Sequence, residues 1–509
     1  MNAAASEPTA AQAEADPGWS AGRVAVRALL VVLASLALCW PALINGQPFF
    51  HPDTVGYVRG ADVALMKLLG PRFATDWGLE SVGATAPPAA APAGQAARSY
   101  NDQEVIGGRS IYYGALVSLG ERTGGFWLTA LIQGLAVALL IEILTRAAGL
   151  ASPGAYAGVA ALVALGASAP LFASLLMPDI WAGAAIAAIA GLFAFASRLR
   201  APDVAALASI AAFAAMAHSS VPPVIGGLLA AGFVLWVLRR FAAPSPWIGV
   251  GASVLALAAA VAGAAAFSLA VSRTAGRPPV MPPFLTARLV ADGTGARYVR
   301  EHCAGQPFVV CRFADRLPLD VDHFLWGETP RDGVFLPASP AERRALGDEQ
   351  TRFALAVVRA YPLQQAAVSL KNAALQTVTT ELSDFDYKPS LRASLSAQMP
   401  PEPLARFRAT AAFREALPVG VLWAEEAAVA LAALAAMAWL STRPAPAGAT
   451  GGRDGALPLF AGLAVLGVLG NGVVCGVLST LYGRYQARVL WVLPLAAALW
   501  WLSRRRPAG

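Results

Sequence analysis

The sequence predicts an all-α polytopic membrane protein with about ten transmembrane helices, external amphipathic helices, and a mainly helical external segment before the last three spans. Two compositional facts and one pattern predict it. Of the 509 residues 57% are hydrophobic and only 14% charged, where a soluble domain carries about 25% charged residues, and the mean hydropathy is +0.56. The apolar residues are gathered into runs close to the roughly 20 residues that a helix needs to cross hydrocarbon. A disordered chain and an ordinary cytosolic enzyme are both excluded. The net charge of +7 would suggest nucleic acid in a soluble protein, but in a polytopic one basic residues orient helices, so no nucleic-acid partner is expected.

The runs fall near residues 24–45, 125–149, 152–175, 178–197, 202–217, 220–238, 247–271, 418–440, 456–480 and 487–503. The fifth is short, and the eighth carries Glu425 and Glu426 near its start. Glu142, inside the second, stands four residues before Arg146, the spacing of a helical ion pair. Arginines then set the orientation. Arg23, Arg27, Arg146, Arg198, Arg200, Arg239, Arg240, Arg443, Arg453 and Arg504 to Arg506 all share one side if the chain crosses ten times. By the positive-inside rule that side is the cytoplasm, with both termini there. The expected location is the cytoplasmic (inner) membrane, with an active face that is external or periplasmic.

This division gives residues 1–23 as a disordered cytoplasmic tail without signal-peptide order. Residues 24–271 form a module of seven spans containing the external loop 46–124. Residues 272–417 form an external, periplasmic segment, and 418–509 a module of three spans. In the loop, Val55, Val58, Ala61, Leu65, Leu68 and Leu69 recur at helical spacing with Arg59, Asp62 and Lys67 elsewhere around the helix, the pattern of a helix lying on the membrane surface. The Pro/Ala stretch 84–97 has the composition of a mobile loop, and a short helix near 108–120 leads into the second span. The segment 272–417 opens Pro-rich at Gly276 to Pro283 and turns helical from Pro340 to Thr380, broken at Pro362. Such helices suit packing on the membrane face of the protein. No internal repeat is evident.

Cys39 and Cys475 lie within spans and suit small buried hydrophobes. Cys303 and Cys311 are eight apart around Ala304-Gly305-Gln306-Pro307 in the external segment, where an oxidising compartment favours a disulfide. His302 and His323 nearby leave metal binding as a weaker alternative, since no CxxC spacing accompanies them.

Candidate chemistry lies at the external helix ends. Asp53, after His51-Pro52, suits two compatible roles: the N-cap of the helix that follows, and a carboxylate mounted at the membrane surface as a general base. Asp179 opens the fourth span, where the helix dipole favours an acid. His218, beside Ser219 and Ser220, suits a pocket lining before it suits a catalyst, because a triad is a spatial arrangement. Arg484 and Arg488, and Arg273 and Arg277 after the seventh span, are positive on the side where the rule disfavours them. A lipid phosphate would account for them through bidentate guanidinium pairing, and interfacial snorkelling is the alternative. Asp384-Phe385-Asp386 is a DxD, a three-residue pattern that leaves a divalent metal open and no other cofactor implied. The chain contains no P-loop and no dinucleotide fingerprint, which argues against ATP-driven transport by this chain alone.

Taken together, an acid at Asp53 within His51-Pro52-Asp53-Thr54 to Tyr57 just past the first span, surface helices in that loop, external arginines, and a large external segment before the last spans resemble the GT-C superfamily of polytopic membrane glycosyltransferases. The resemblance covers nearly the whole chain in topology and few residues in detail. It implies transfer of a sugar, hexosyl or pentosyl, from a polyprenyl-phosphate or polyprenyl-pyrophosphate donor to a glycan, lipid or protein acceptor at the outer face. Asp53 would then be the catalytic base or site organiser, with His51, Tyr57, Asp179, His218, Arg273, Arg484 and Arg488 contacting substrate. The chain lacks the paired acidic motif that metal-dependent members place beside that acid. The competing classes are a transporter or lipid flippase, expected to carry charges and Gly/Pro breaks at mid-membrane depth, and a membrane O-acyltransferase using His218 or His51.

Overall fold

The computed structural model describes residues 21–78, 104–238, 246–305, 308–443 and 455–505. The polar tail at 1–20, the Pro/Ala stretch and the arginines at 239, 240, 453 and 506 lie outside the described residues. Among the described residues the fold is entirely helical; the only β pairing there is two isolated bridges, Phe49 with Leu175 and Ile106 with Val280.

Each of the ten apolar runs carries helix, in the order α1 (Ala21–Ala37) with α2 (Trp40–Asn45), then, after α3 (Pro52–Leu69) and α4 (Ile111–Gly124), α5 (Trp127–Ala147), α6 (Pro153–Leu165) with α7 (Ser168–Ser174), α8 (Ile180–Ala194), α9 (Ala201–Ala217), α10 (Val221–Val237) and α11 (Trp247–Ala275). The last three are α19 (Val419–Ser441), α20 (Ala456–Leu478), and α21 (Gly483–Leu490) with α22 (Val492–Arg504). Four of them, α5, α11, α19 and α20, are long and apolar enough to cross a membrane, and the α6–α7 pair, bent by 75°, makes a fifth if it is one span. The others fall short for a geometric reason. At 1.5 Å per residue, the 15 to 17 residues of α8, α9 and α10 reach only about 22–26 Å against roughly 30 Å of hydrocarbon.

One short helix, α8, is the innermost. Every residue of α8 is buried, as an all-round apolar helix must be, and α9, α10, α11, α20 and α21 pack around it. Glycines set the closest approaches. A Cβ at Gly183 of α8 would lie 2.5 Å from Trp491 Nε1 and 3.1 Å from the Arg488 carbonyl. Glu142 accepts from Arg146 Nε at 3.2 Å, and Arg146 also donates to Asp203 at 2.8 Å.

The helix α3 differs from a free surface helix. Its Val55, Val58 and Ala61 are buried against α4, and so is Asp62, which accepts from the Thr75 amide at 2.8 Å and from Arg122, while Leu68 and Leu69 stay exposed. Its polar positions are internal because two partners satisfy the carboxylate there.

The segment after α11 builds a second apolar core from Phe313, Phe324, Phe335, Leu346, Phe353 and Val357. Its helices are α12 (Phe284–Ala291), α13 (Thr294–His302), α14 (Val321–Trp326), α15 (Pro340–Ala360), α16 (Pro362–Val378), α17 (Pro389–Ser396) and α18 (Pro401–Arg408). Ser339 starts α15 through a capping box with Glu342, and Pro362 ends it, since proline cannot donate to a continuing helix. Cys303 and Cys311 are joined by a disulfide, with Cα atoms 5.6 Å apart.

Candidate active site at the helix ends

The structure gathers six of the expected site residues, with Asp384, into one cluster. Its first part depends on how α3 begins. Pro52 occupies the first helical position, where a fixed φ and a missing N–H cost nothing. The cap itself is His51 and not Asp53: His51 Nδ1 accepts from the Asp53 amide at 3.2 Å, and the His51 amide donates to Thr54 Oγ1 at 2.9 Å. This corrects the expectation of Asp53 as N-cap, and it has a chemical consequence. With the histidine capping, the Asp53 carboxylate is released from the backbone and takes Arg109, whose Nε lies 3.2 Å from Oδ1 and whose Nη2 bonds the same oxygen. Gly56, one turn along α3, makes room, since a Cβ there would lie 2.8 Å from Arg109 Cδ. Tyr57 is buried on the same helix, edge-on to Tyr113 at 5.1 Å.

Arg484 is brought in by a second close approach. A Cβ at Gly483 would fall 2.2 Å from the Glu381 carbonyl, so glycine lets the start of α21 meet the chain just before Asp384. Arg484 Nε then stands 3.4 Å from Asp384 Oδ2 and 3.7 Å from Asp179 Oδ1, and Asp384 Oδ1 lies 3.9 Å from His51 Nε2. One turn further, Arg488 is fully enclosed. It donates through Nη1 to Asp179 Oδ1 at 3.2 Å and His218 Nε2 at 3.0 Å, and through Nη2 to Ser220 Oγ at 2.7 Å and Asn471 Oδ1 at 3.2 Å. Because a guanidinium only donates, His218 Nε2 must accept. On the other side of the ring, Nδ1 lies 2.9 Å from Ser220 Oγ and 3.2 Å from the Ser220 amide nitrogen.

Burial and charge tune these groups. Burial pushes the Asp53 carboxyl up, but the Arg109 guanidinium, helped by His51 and Arg484, outweighs it and holds the acid far below the usual carboxylate range. Burial, then Arg484, lowers His51 to about 4, and burial, then Arg488, lowers His218 to about 3. Both imidazoles are thus neutral near pH 7, and burial raises the Tyr57 phenol above its normal value. Among the described residues three carboxylates (Asp53, Asp179, Asp384) face three guanidinium groups (Arg109, Arg484, Arg488) in the cluster. An anion binding here must displace a carboxylate from an arginine.

The open side of the cluster is the Asp53–Arg109 pair, whose side chains are 34% and 37% exposed, whereas Asp179 and Arg488 are at 0%. Over Arg109 stands the ring of Trp326 from α14, 5.7 Å from the guanidinium carbon, and the Tyr482 hydroxyl donates to Asp322 on the same helix. A cavity of about 480 Å³ lined by Gln47, Glu121, Trp127, Glu402 and Arg406 is separate, with none of the charged cluster in its wall.

Two expected residues are placed elsewhere. Arg273 is exposed on the last turn of α11 and takes no part in the bonds of the cluster, and Arg277 lies 3.9 Å from Glu104. Conversely, sequence reasoning did not single out Arg109, Asn471 or Trp326. Arg109 carried a usable signal: it is a cation in the same loop as Asp53, directly before the Ser110 cap of α4. Among the described residues no group of three or more His, Cys, Asp or Glu side chains is arranged to hold a metal ion. Comparison of the chain with protein-family models, with curated proteins and with solved structures returns no match.

Proposed function

We propose that the protein is a membrane glycosyltransferase of the GT-C kind, with about ten crossings and both termini in the cytoplasm, acting at the outer face of the inner membrane. It moves a sugar from a polyprenyl-phosphate or polyprenyl-pyrophosphate donor to a glycan, lipid or protein acceptor. The observation that carries this reading is the Asp53–Arg109 pair, a part-exposed carboxylate and guanidinium at a helix start, in contact with a buried array that keeps both in place.

In the resting state Asp53 is too weak a base to be useful, because Arg109 stabilises its anion. A donor phosphate entering the site competes for Arg109, as guanidinium pairs bidentately with phosphate oxygens. Arg109 then swings from the carboxylate to the phosphate, and the basicity of Asp53 rises as its positive neighbour leaves. Asp53 takes the proton of the acceptor hydroxyl, the hydroxyl oxygen bonds to the anomeric carbon, and the bond from that carbon to the lipid phosphate oxygen breaks. The electron pair stays on the phosphate, where Arg109 and Arg484 stabilise it. His51 and Asp179 hold the two acids and Arg484 in register, and Arg488 with His218 forms the rigid floor.

The histidine route of an O-acyltransferase is disfavoured, since His218 Nε2 already accepts from Arg488 and His51 Nδ1 from the Asp53 amide. A transporter or flippase has one observation in its favour: Glu425 and Glu426 on α19, with Glu425 accepting from the Ala167 amide at the bend between α6 and α7. Purified protein incubated with a panel of polyprenyl-linked sugars decides. Transfer that is lost in Asp53→Asn and reduced but still measurable in Arg109→Gln, both correctly folded, is expected. Undiminished transfer by folded Asp53→Asn would remove the base assignment, and lipid movement without transfer would favour the transporter.

A further inference from the structure

The helix α16 is built inside out. Three of its polar side chains point into the protein: Gln365, Asn372 and Gln376 are buried, Gln376 completely, while Gln364 and Lys371 are exposed. Gln365 and Asn372 donate to the two oxygens of Asp292, each at 2.9 Å. Gln376 donates to the Tyr482 carbonyl at 2.8 Å and accepts from the Tyr482 amide at 3.0 Å. The opposite face carries Leu363, Leu370 and Val378, at 85%, 72% and 73% exposure, with exposed Ala367, Ala374 and Leu375 among them. In water this arrangement reverses the ordinary distribution, because the large apolar side chains are the ones left outside.

The position of the helix shows what surrounds that face. The most extensive packing of α16 is against α20, one of the helices long and apolar enough to cross a membrane. The two run antiparallel at very short range: a Cβ at Gly476 would meet the Asn372 carbonyl at 2.5 Å, and one at Gly472 would meet Thr377 Oγ1 at 2.5 Å. Small residues at such a contact are the usual device for close helix pairing in lipid. Gly472 is six residues inside the Leu478 end of α20, so the C-terminal end of α16 sits about 9 Å below that end at 1.5 Å per residue. The outward face of α16 continues onto exposed Leu466, Leu469, Val473 and Leu478 of α20 itself. Lys371, the exposed cation of α16, falls next to the Asn372–Gly476 contact, close to the end of α20, where an ammonium can reach the interface.

We infer that α16 is a membrane-dipping helix, and that the acyl chains of the bilayer cover its outward face from about Leu370 to Val378. The N-terminal half, with Gln364 and Leu363, stands at headgroup level. The immersed half is mechanically tied to the charged cluster: Gln376 clamps both backbone groups of Tyr482, and Gly483 and Arg484 follow directly. The depth of α16 in the bilayer therefore sets the depth of Arg484, and puts the cluster near lipid headgroups whichever chemistry it performs.

Single cysteines at Leu363→Cys, Ala374→Cys and Val378→Cys, spin-labelled in the full chain and placed in phosphatidylcholine vesicles, test this. The wild type treated in parallel gives the background from the buried Cys39 and Cys475. Collision with oxygen should exceed collision with a water-soluble nickel chelate at 374 and 378, and the order should reverse at 363. Nickel dominating at 374 and 378 would overturn the inference in favour of a water-covered face. Dipolar broadening between labels at 378 would overturn it in favour of a second copy of the chain. Val378→Trp with acyl chains brominated at stated depths is the independent check: fluorescence above the wild-type tryptophan background should be quenched by bromines near mid-chain, and an unquenched increment would again remove the lipid contact.

Discussion

Arg488 tests most directly whether the cluster is a rigid floor with one open edge. The side chain is wholly buried and is the donor for Asp179, His218, Ser220 and Asn471. Arg488→Met keeps most of the volume and removes the charge. At 3.2 Å from Asp179, the pair is worth about 5 kcal/mol at an effective dielectric of about 20. Because the intact pair has already been charged for desolvation, the expected loss is that of breaking a buried ion pair, about 3–5 kcal/mol. Asp179 keeps only Arg484 at 3.7 Å as a compensating charge, so the carboxylate becomes the liability. Adding Asp179→Asn should then restore a large part of the loss. Graded unfolding with dodecyl sulfate, followed by circular dichroism for both single variants and the double variant, gives the coupling directly. A single Arg488→Met variant as stable as the wild type, or a double variant no better than that single one, would refute the assignment of Arg488 as the structural floor and return it to substrate contact.

Three further outcomes follow from the same geometry. Gly56→Ala adds a methyl 2.8 Å from Arg109 Cδ without touching the core, so transfer activity should drop well before stability does; equal losses in both would show that Arg109 is not what Gly56 accommodates. Arg109→Gln removes the cation that holds the Asp53 carboxyl down, so the acid limb of kcat/KM should move up in pH toward and past the ordinary aspartate value of about 3.9, and an unmoved limb would detach Asp53 from Arg109. His51, lowered from 6.5 to about 4 by burial and Arg484, binds fewer protons in the folded than in the unfolded state between those values. Stability should therefore be unaffected above about pH 6.5 and fall as pH drops toward 4, by about 3 kcal/mol; His51→Gln should flatten that part of the profile, which stability measurements from pH 4 to 7.5 can check.

Much of this site was visible from charge placement, because charges are scarce in such a chain. Asp53, Asp179, His218, Arg484 and Arg488 could each be found as polar residues at the ends of apolar runs. What could not be found was how they pair. The capping of α3 turned on whether His51 or Asp53 met the first amides, and both residue types suit the spacing. Arg109 stood 56 residues from Asp53 in sequence, and Arg273 and Arg277 looked equally suitable although neither shares a bond of the cluster.

The sequence by itself determined the helical, membrane-type character of the chain, since apolar runs of this length leave no other way to satisfy the backbone. It also located the helix ends where charge collects. Only the tertiary structure decided which of those ends meet, because that depends on glycine contacts such as Gly183 with Trp491, Gly476 with Asn372 and Gly483 with Glu381, which no periodicity records. It decided as well that α16 turns Gln365, Asn372 and Gln376 inward and Leu363, Leu370 and Val378 outward. A helical pattern shows that two faces differ, and only the neighbours show which face is the inside.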